Sequence, residues 1–444
     1  MKDLTDYPET VGCPPCGIIT ALVSGREIGI GELSPEHVKL RFKEKEAVTA
    51  VSFCCYFPEE GYVDFGPFPA RFVKNEDRDF YTEMTFEIPD PAFRSMVRRF
   101  TAEYLAYIRA RLGETDTVPG LKERGSVPGS VGEWLEGHRK EFRSLSDFVL
   151  KAAGEGTETA LSLESGRTLQ AWISGRSDEC FPEKLPELAS RIYLGNPWCP
   201  FVCGEEEELA AAEKALSEGK KITVVTSWLK NYTREAGISR LLRLSGLLRA
   251  RGVRAELEVN DWGFLPVFSE TSGLRETFTC SLGRLLNKQR RDPRFREMYG
   301  ISRLSGELSG NSLLNPDYRK WLSELGFTRA EYEQPGFPLS LSPFPGSLHV
   351  PFYQTNTSPY CPVYSLSETG TRDRGGEVRK CPKYCEHAVQ LYPTELSLIG
   401  RFNSLFGIAD TELGRYFREY RKNGIDRIVF SALPEEEQKD ARVR

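Results

Sequence analysis

The stretch KITVVTSWLKNYTREAGISRLLRLSGLLRARGVRAELEVN, residues 221–260, decides the fold. It begins with a short apolar run rich in β-branched residues, KITVVTS, and ends with a second run, RAELEVN. A longer segment of helical character separates the two runs. A strand, a helix and a strand in this order predict two parallel strands joined by a helical crossover.

The same alternation continues from about residue 157 to the end of the sequence. The strand candidates are ALSL, RIYLG, KITVVTS, RAELEVN, TFTCSLG, SLHVPFYQ, ELSLIGRF and DRIVFSA. Repeated alternation predicts a parallel sheet with helical crossovers, and its length suits a (β/α) TIM-like barrel with insertions. An open doubly wound sheet is the structural alternative.

The N-terminal part has a different pattern. Residues 17–90 contain short strand candidates separated by turn signals, which is typical of a small antiparallel β-barrel or sandwich, and a helix with one apolar face follows. We therefore predict three segments: a small β-barrel domain at 1–112, a linker and connecting helix at 113–156, and the (β/α) barrel at 157–444.

Composition limits the range of functions. The 444 residues include 59 basic and 64 acidic side chains, for a formal charge of -5, and neither sign forms a long block. This argues against a dedicated nucleic-acid or membrane surface. With no signal-peptide pattern and no apolar run long enough to span a bilayer, the sequence predicts a soluble, cytoplasmic protein.

The 11 cysteines fall into two groups. In a reducing cytoplasm they are not expected to form disulfides. Cys54, Cys55, Cys180 and Cys280 lie in or beside apolar text and are predicted to be packing residues. The others lie beside prolines and turn residues, and are Cys13, Cys16, Cys199, Cys203, Cys361, Cys381 and Cys385. Among these, Cys13 and Cys16 form a C-x2-C pair near the N-terminus, as a rival metal motif.

Four cysteines in the predicted barrel form the main ligand set. Cys199, Cys361 and Cys381 are each followed by proline, and Cys385 lies four residues after Cys381. Four thiolates suit a 4Fe-4S cluster, with one thiolate for each iron. Tetrahedral zinc accepts the same four ligands, and Cys203 is an alternative to Cys199 in either case.

Polar residues that follow the predicted strands form a second candidate site, because the carboxyl ends of barrel strands converge on one mouth. We assign catalytic roles to Asp261, Arg284 and Arg401, and substrate-binding roles to Asn260, Asn287 and Asn403. The alternative is that these residues serve as helix caps and turn formers.

The motifs IYLGNPWC, EVNDWGFL, LGRLLNKQRRDPR, YQTNTSPYC and CPKYC resemble the collagenase-like peptidase family of unknown catalytic type. Within that family they are most similar to the iron–sulfur accessory proteins of oxygen-independent ubiquinone biosynthesis. The resemblance covers residues from about 157 to 432. It implies a (β/α) barrel that carries a 4Fe-4S cluster on Cys199, Cys361, Cys381 and Cys385.

The resemblance implies an enzyme or accessory subunit for oxygen-independent hydroxylation of a small molecule or RNA base, with a paralogous subunit as a candidate partner. A peptidase and a cluster-bearing sensor or scaffold without catalysis are the alternatives, so the sequence leaves open whether the protein is an enzyme. The peptidase is the weaker alternative, because neither His-Glu-x-x-His nor Gly-x-Ser-x-Gly is present.

The stretch GELSPEHVKLRF, residues 31–42, resembles the Asp-x-Ser-x-x-Gly turn of a PilZ domain. Here Glu32 replaces the acid or amide and His37 replaces the glycine, and no Arg-x-x-x-Arg motif precedes them.

We expect cyclic-di-GMP not to bind, because a ligand with two phosphates normally requires arginine forks, and only Arg26 and Arg41 lie near the motif. Isothermal titration calorimetry with the full chain should detect no heat of binding. Micromolar binding would contradict this prediction and would indicate control by a second messenger.

Overall fold

The computed structural model describes residues 11–12, 18–57, 60–111, 126–292, 295–300, 305–369 and 378–441. Two compact units are drawn from Met1–Glu123 with Arg294–Leu308, and from Arg124–Pro293 with Ser309–Arg444. Within the described ranges, no helix combines the length and the apolar character that a bilayer crossing requires. The helices are α1 (Pro91–Arg111), α2 (Val131–Gly137), α3 (Arg139–Gly154), α4 (Gly166–Ile173), α5 (Leu185–Leu188), α6 (Glu205–Ser217), α7 (Asn231–Ala250), α8 (Phe264–Glu270), α9 (Leu274–Thr277), α10 (Phe295–Met298), α11 (Ser305–Leu308), α12 (Pro316–Glu324), α13 (Pro362–Thr369) and α14 (Leu413–Lys422).

The first unit is an antiparallel sheet with α1 packed on it. Its strands are β1 (Val11–Gly12), β2 (Ile19–Val23), β3 (Arg26–Leu33), β4 (His37–Phe42), β5 (Ala50–Phe57), β6 (Gly61–Pro69), β7 (Arg71–Asp77) and β8 (Thr82–Glu87). The order is β6-β5-β2-β3-β4-β8-β7, with β1 paired to β3. The antiparallel domain agrees with the predicted small β-barrel or sandwich, but among the described residues its strand order has two ends and does not close into a barrel.

Alternating side chains of β4 form the core of this sheet. Val38, Leu40 and Phe42 are buried and belong to one apolar cluster with Phe93 and Phe100 of α1. The period of two in the strand and the spacing of three and four in the helix therefore produce matching apolar faces.

The two arginines beside the PilZ-like motif already have carboxylate partners. Arg26 forms an ion pair with Glu46, and Arg41 forms one with Glu83 while lying over the ring of Tyr81. A phosphate ligand would have to compete with these carboxylates for the guanidinium groups.

The second unit contains the closed parallel barrel. Its strands are β9 (Glu158–Leu163), β10 (Arg191–Leu194), β11 (Lys221–Val225), β12 (Ala255–Val259), β13 (Phe278–Leu282), β14 (Phe327–Glu333), β15 (Gly346–Val350), β16 (Phe352–Thr357), β17 (Ala388–Leu391), β18 (Leu398–Arg401), β19 (Ser404–Ile408), β20 (Ile425–Ser431) and β21 (Lys439–Asp440). Strands β9 to β15 and β20 close an eight-stranded parallel barrel. The open doubly wound alternative is therefore wrong. Helices occupy most crossovers, but residues 334–345, which join β14 to β15 and are all described, contain none.

Two strand assignments made from the sequence need correction. The run ELSLIGRF was predicted to be a barrel strand, but its strand β18 belongs to a separate sheet of order β16-β19-β18-β17-β21. Strand β14 takes its place in the barrel and was missed. Its sequence FTRAEYE places Arg329, Glu331 and Glu333 at alternate positions, a pattern that sequence analysis associates with solvent.

The five-stranded sheet packs on the carboxyl end of the barrel. Strand β16 follows β15 after a single residue, and Phe406 of β19 packs against Trp198 in the loop after β10, with ring centroids 5.6 Å apart. Arg401 of β18 donates a hydrogen bond to the carbonyl oxygen of Ala432, directly after β20. The sheet therefore covers the mouth where polar residues were expected to be accessible, and we call it the covering sheet.

Charged side chains fill the amino-terminal part of the barrel interior. Arg427 is 1% exposed and donates to both carboxylate oxygens of Glu256, at 2.6 and 2.9 Å, and to Glu158 at 2.8 Å. Arg191 also pairs with both carboxylates. Burial opposes ionisation of Glu158, yet the charges of Arg427 and Arg191 lower its pKa to about 2. The barrel core is thus stabilised by matched charges as well as by apolar packing.

Replacing Arg427 with Met should destabilise the barrel unit by about 3–5 kcal/mol, because two largely buried carboxylates lose their closest cationic partner, and Arg191 alone remains close to both. Lys221→Met is the control, since its side chain is 65% exposed in its pair with Glu158 and should contribute less than about 1 kcal/mol. Urea unfolding followed by tryptophan fluorescence measures both, because all 6 tryptophans lie in this unit. Equal unfolding midpoints for the two variants would contradict the prediction.

Candidate functional site

Four thiols from distant parts of the sequence line one recess of the second unit. Cys199 lies in the loop after β10, Cys361 directly precedes α13, and Cys385 lies in the turn Tyr384–Glu386, four residues after Cys381. The recess has about 370 Å³ of atom-free space, including its open side. Its other lining residues are mostly apolar or aromatic, among them Phe201, Trp228, Val363, Val378 and Phe402. The thiols therefore share a site of low polarity.

The three Cys-Pro pairs share one local geometry. Proline has no backbone N–H, so the nearest donors come from later residues of the same turn. These donors lie two and three residues after the cysteine: Phe201 and Val202 for Cys199, Val363 and Tyr364 for Cys361, and Lys383 for Cys381. Backbone N–H groups that point at sulfur stabilise a thiolate, and they are a common feature of metal–thiolate sites.

Burial controls the ionisation of these thiols. It raises the pKa of Cys199 to about 12 and that of Cys361 to about 11, and it raises the pKa of Cys385 well above the usual range. The N–H donors oppose this effect without reversing it. Thiols with such pKa values hold their protons at neutral pH, so a cation bound here would release them.

The four thiols are spread around the recess. All four cysteines belong to the described part of the chain, and no three of their sulfur atoms lie within 4.8 Å of one another. Tetrahedral zinc, with Zn–S bonds of about 2.3 Å, holds its sulfurs about 3.8 Å apart. Some of these sulfurs would therefore have to move closer together to share a single zinc ion.

The remaining cysteines occupy other environments. Cys203, our alternative to Cys199, is not among the residues that line the recess, and burial raises its pKa well above the usual range. The predicted packing residues Cys54, Cys55, Cys180 and Cys280 are all buried. Cys13 and Cys16 lie outside the described residues.

Two of the six predicted polar site residues lie beside the recess. Asn403 lines it and donates a hydrogen bond to the carbonyl oxygen of Ser358 at 2.6 Å. Arg401 is 8% exposed, pairs with Glu164 at 3.4 Å, and is close enough to Cys385 to interact electrostatically. Both residues belong to the covering sheet or its turns, rather than to the barrel mouth where we expected them.

Three others lie together at the barrel mouth. Arg284 is 3% exposed, with its guanidinium 4.6 Å from the ring centre of Trp198. Asn260 donates to the carbonyl oxygen of Thr226 and accepts from the backbone N–H of Leu285, and Asn287 donates to the carbonyl oxygen of Glu331. Each amide thus connects two barrel loops or strands, as expected for turn formers.

Asp261 lies apart from these buried residues and is partly exposed. Its two carboxylate oxygens accept hydrogen bonds from the backbone N–H groups of Leu229 and Gly263. The residue therefore connects the loops after β11 and β12.

The acidic residues of the mouth were not among the predicted site residues. Glu258, Glu331 and Glu333 point inward and are 0% exposed, and His349 is 1% exposed. His349 Nε2 lies 2.8 Å from Glu331, which also accepts a hydrogen bond from Ser281 at 2.5 Å. Each of these residues lies two positions along its strand from another polar residue that also points into the barrel. This alternation was the only sign in the sequence that they face inward.

The mouth residues differ in ionisation. Burial raises the pKa of Glu258 to about 7, and it raises that of Glu333. Burial and the nearby charge of Arg284 lower the pKa of His349 to about 4, so the imidazole is neutral at pH 7. Burial opposes ionisation of Glu331, but the hydrogen bond with His349 and the charge of Arg427 lower its pKa to about 2.

Comparisons with known proteins add little to this geometry. No family model matches the sequence, and no curated protein matches it. An uncharacterized Legionella protein, Lpg0364, aligns with 24% of this chain and 96% of its own, at 11% identity and a TM-score of 0.17. Escherichia coli YcgR, solved in complex with c-di-GMP, aligns over 24% of this chain and 48% of its own, at 11% identity and a TM-score of 0.19. At TM-scores this low, neither likeness carries an argument about fold or function.

Proposed function

We propose that this protein binds a 4Fe-4S cluster on Cys199, Cys361, Cys381 and Cys385, and that it belongs to the collagenase-like peptidase family. The observation that carries the proposal is the convergence of four thiols from three separate segments on one apolar recess. Cysteines brought together from distant positions in a reducing compartment are typical of a metal site.

A cluster explains the arrangement better than a zinc ion. In a cluster, each thiolate binds a different iron, so the sulfurs stand further apart than around one metal. The spread of the four thiols supports this choice. The N–H groups that point at three of the sulfurs also suit a cluster, because such bonds adjust its reduction potential.

With four cysteine ligands, such a cluster supplies electron transfer or structural support. We propose that the protein is an enzyme or accessory subunit for oxygen-independent hydroxylation of a small molecule or RNA base. In this proposal, Asp261 accepts a hydrogen bond or proton from the substrate, and Arg284 and Arg401 attract a carboxylate or phosphate. Asn260, Asn287 and Asn403 complete the polar surroundings.

A cluster-bearing scaffold or sensor without catalysis is the second candidate. It is favoured by the burial of the mouth, where Arg284, Asn260 and Asn287 are at most 3% exposed and bond to other protein groups. The finer structural assignments belong to the same proposal: a PilZ-like first unit, a TIM-like barrel and a cytoplasmic location.

Protein purified without air should be brown and contain about four irons and four sulfides per chain, since one cubane takes one thiolate per iron. Cys381→Ala should lose the colour and most of the iron. Cys203→Ala is the matched control and should keep both, because Cys203 does not line the recess. Iron, sulfide and zinc analysis measures the outcome. A colourless wild-type protein with one stoichiometric zinc would refute the cluster.

The two candidate functions predict different effects of mouth substitutions. Asp261→Asn should keep the iron content and lose function if the protein is an enzyme, because this side chain is partly exposed. Arg284→Lys should reduce function while keeping the buried charge. The measurement is iron content, together with rescue of an anaerobic phenotype of a deletion strain. Full rescue by both variants with intact clusters would reject the catalytic roles and leave the scaffold function.

A further inference from the structure

The barrel mouth contains a second set of metal-ligating side chains, independent of the thiols. Glu258 of β12, Glu331 of β14 and His349 of β15 each place one donor atom within 4.8 Å of the other two. All three project into the interior of the closed barrel and are at most 1% exposed. Two carboxylates and one imidazole form a donor set that suits divalent transition metals.

Part of this donor set has no partner in the protein. Glu258 Oε1 accepts a hydrogen bond from Asn260, but Glu258 Oε2 has no hydrogen-bond partner and is fully buried. His349 Nδ1 is likewise buried without a partner. Leaving a buried polar atom unsatisfied costs free energy, so a cation bound by Glu258 would remove a cost that the protein alone does not offset.

The charges at the mouth leave room for a cation. Among the described residues, Arg284 and Arg291 form the ion pairs of Glu258 and Glu333 at the mouth, and the charge of Arg427 acts on Glu331 from the layer below. The guanidinium group of Arg284 lies 3.5 Å from Glu333 and 3.8 Å from Glu258. The guanidinium group of Arg291 lies 3.0 Å from Glu333. Both guanidinium groups therefore lie closest to Glu333.

The charged layer at the amino-terminal end of the barrel interior, around Arg427, differs from the mouth in how its charges are paired. There Glu158, Glu256 and Asp426 pair with Arg191, Arg329 and Arg427, and Glu158 also pairs with Lys221. Every carboxylate of that layer thus has a cationic partner.

We propose that Glu258, Glu331 and His349 bind one divalent transition-metal ion inside the barrel. Surrounding residues fix the ligands as outer-shell partners do at metal sites: Asn260 donates to Glu258, and Ser281 and Tyr193 contact Glu331. Three protein ligands leave open positions on the metal, so this site would provide a Lewis acid, which a cluster held by four cysteines does not.

Mn²⁺ alone is the probe, because carboxylate and imidazole ligands bind it and thiolates favour softer metals. The full chain is titrated, and free Mn²⁺ is counted by electron paramagnetic resonance. Wild type should bind one Mn²⁺ per chain. Glu258→Gln and His349→Gln should weaken binding roughly tenfold or more.

Two controls make the result specific. Glu208→Gln removes another fully buried carboxylate, the partner of Arg240, and should keep wild-type Mn²⁺ affinity. Cys381→Ala should also keep it, which separates this site from the thiols. Circular dichroism shows which variants fold, and Glu258→Gln decides the test where His349→Gln does not fold, because one oxygen of Glu258 has no partner to lose. Absence of stoichiometric binding by wild type, unchanged affinity in Glu258→Gln, or loss of binding in Cys381→Ala would each overturn the proposal.

Discussion

The parallel pairing of β9 with β20 is the contact on which the second unit depends, because it joins the first barrel strand to the last. At one end of this seam, Glu158 lies opposite Arg427. At the other end, the two strands lead into Glu164 and Ala432, and Arg401 binds both. Arg401 thereby anchors the covering sheet to the closed barrel. Three of the four thiols lie in the connection between β16 and β17 of that sheet, so this anchor also helps to hold the recess against the barrel.

The barrel was predictable where its strands are apolar throughout, as in KITVVTS. Strand β14 was not, since its alternation of charged and apolar residues indicates one face in water. In the protein that face points inward, where Arg329 reaches Asp426, and Glu331 meets Ser281 and His349. A strand that lines a polar barrel interior is therefore hard to recognise from its sequence. The alternation shows that its two faces differ, but not which face is exposed to solvent.

The candidate site likewise has one part that could be recognised from the sequence and one part that could not. The Cys-Pro pairs could be recognised because the N–H donors that face each sulfur lie within the next three residues, which makes the geometry local. The mouth acids could not, since Glu258 and Glu331 lie on different strands and meet only after the barrel has closed. Asn260 illustrates a further limit, because a polar residue that follows a strand can either bind a substrate or hold two loops together. Here it does the second, through hydrogen bonds with Thr226 and Leu285.

Cys385 differs from the other three thiols, and the difference gives Arg401 a specific role. Cys385 is followed by Glu386 rather than proline, and in the described part of the chain it lacks the backbone N–H donors found at the other three. Burial therefore raises the pKa of Cys385 without opposing backbone donors. Arg401 is the buried cation beside it, and burial lowers the pKa of this arginine while Cys385 and Glu164 raise it. Because Glu164 shares the same guanidinium, Arg401 connects the barrel seam to the segment that carries this thiol.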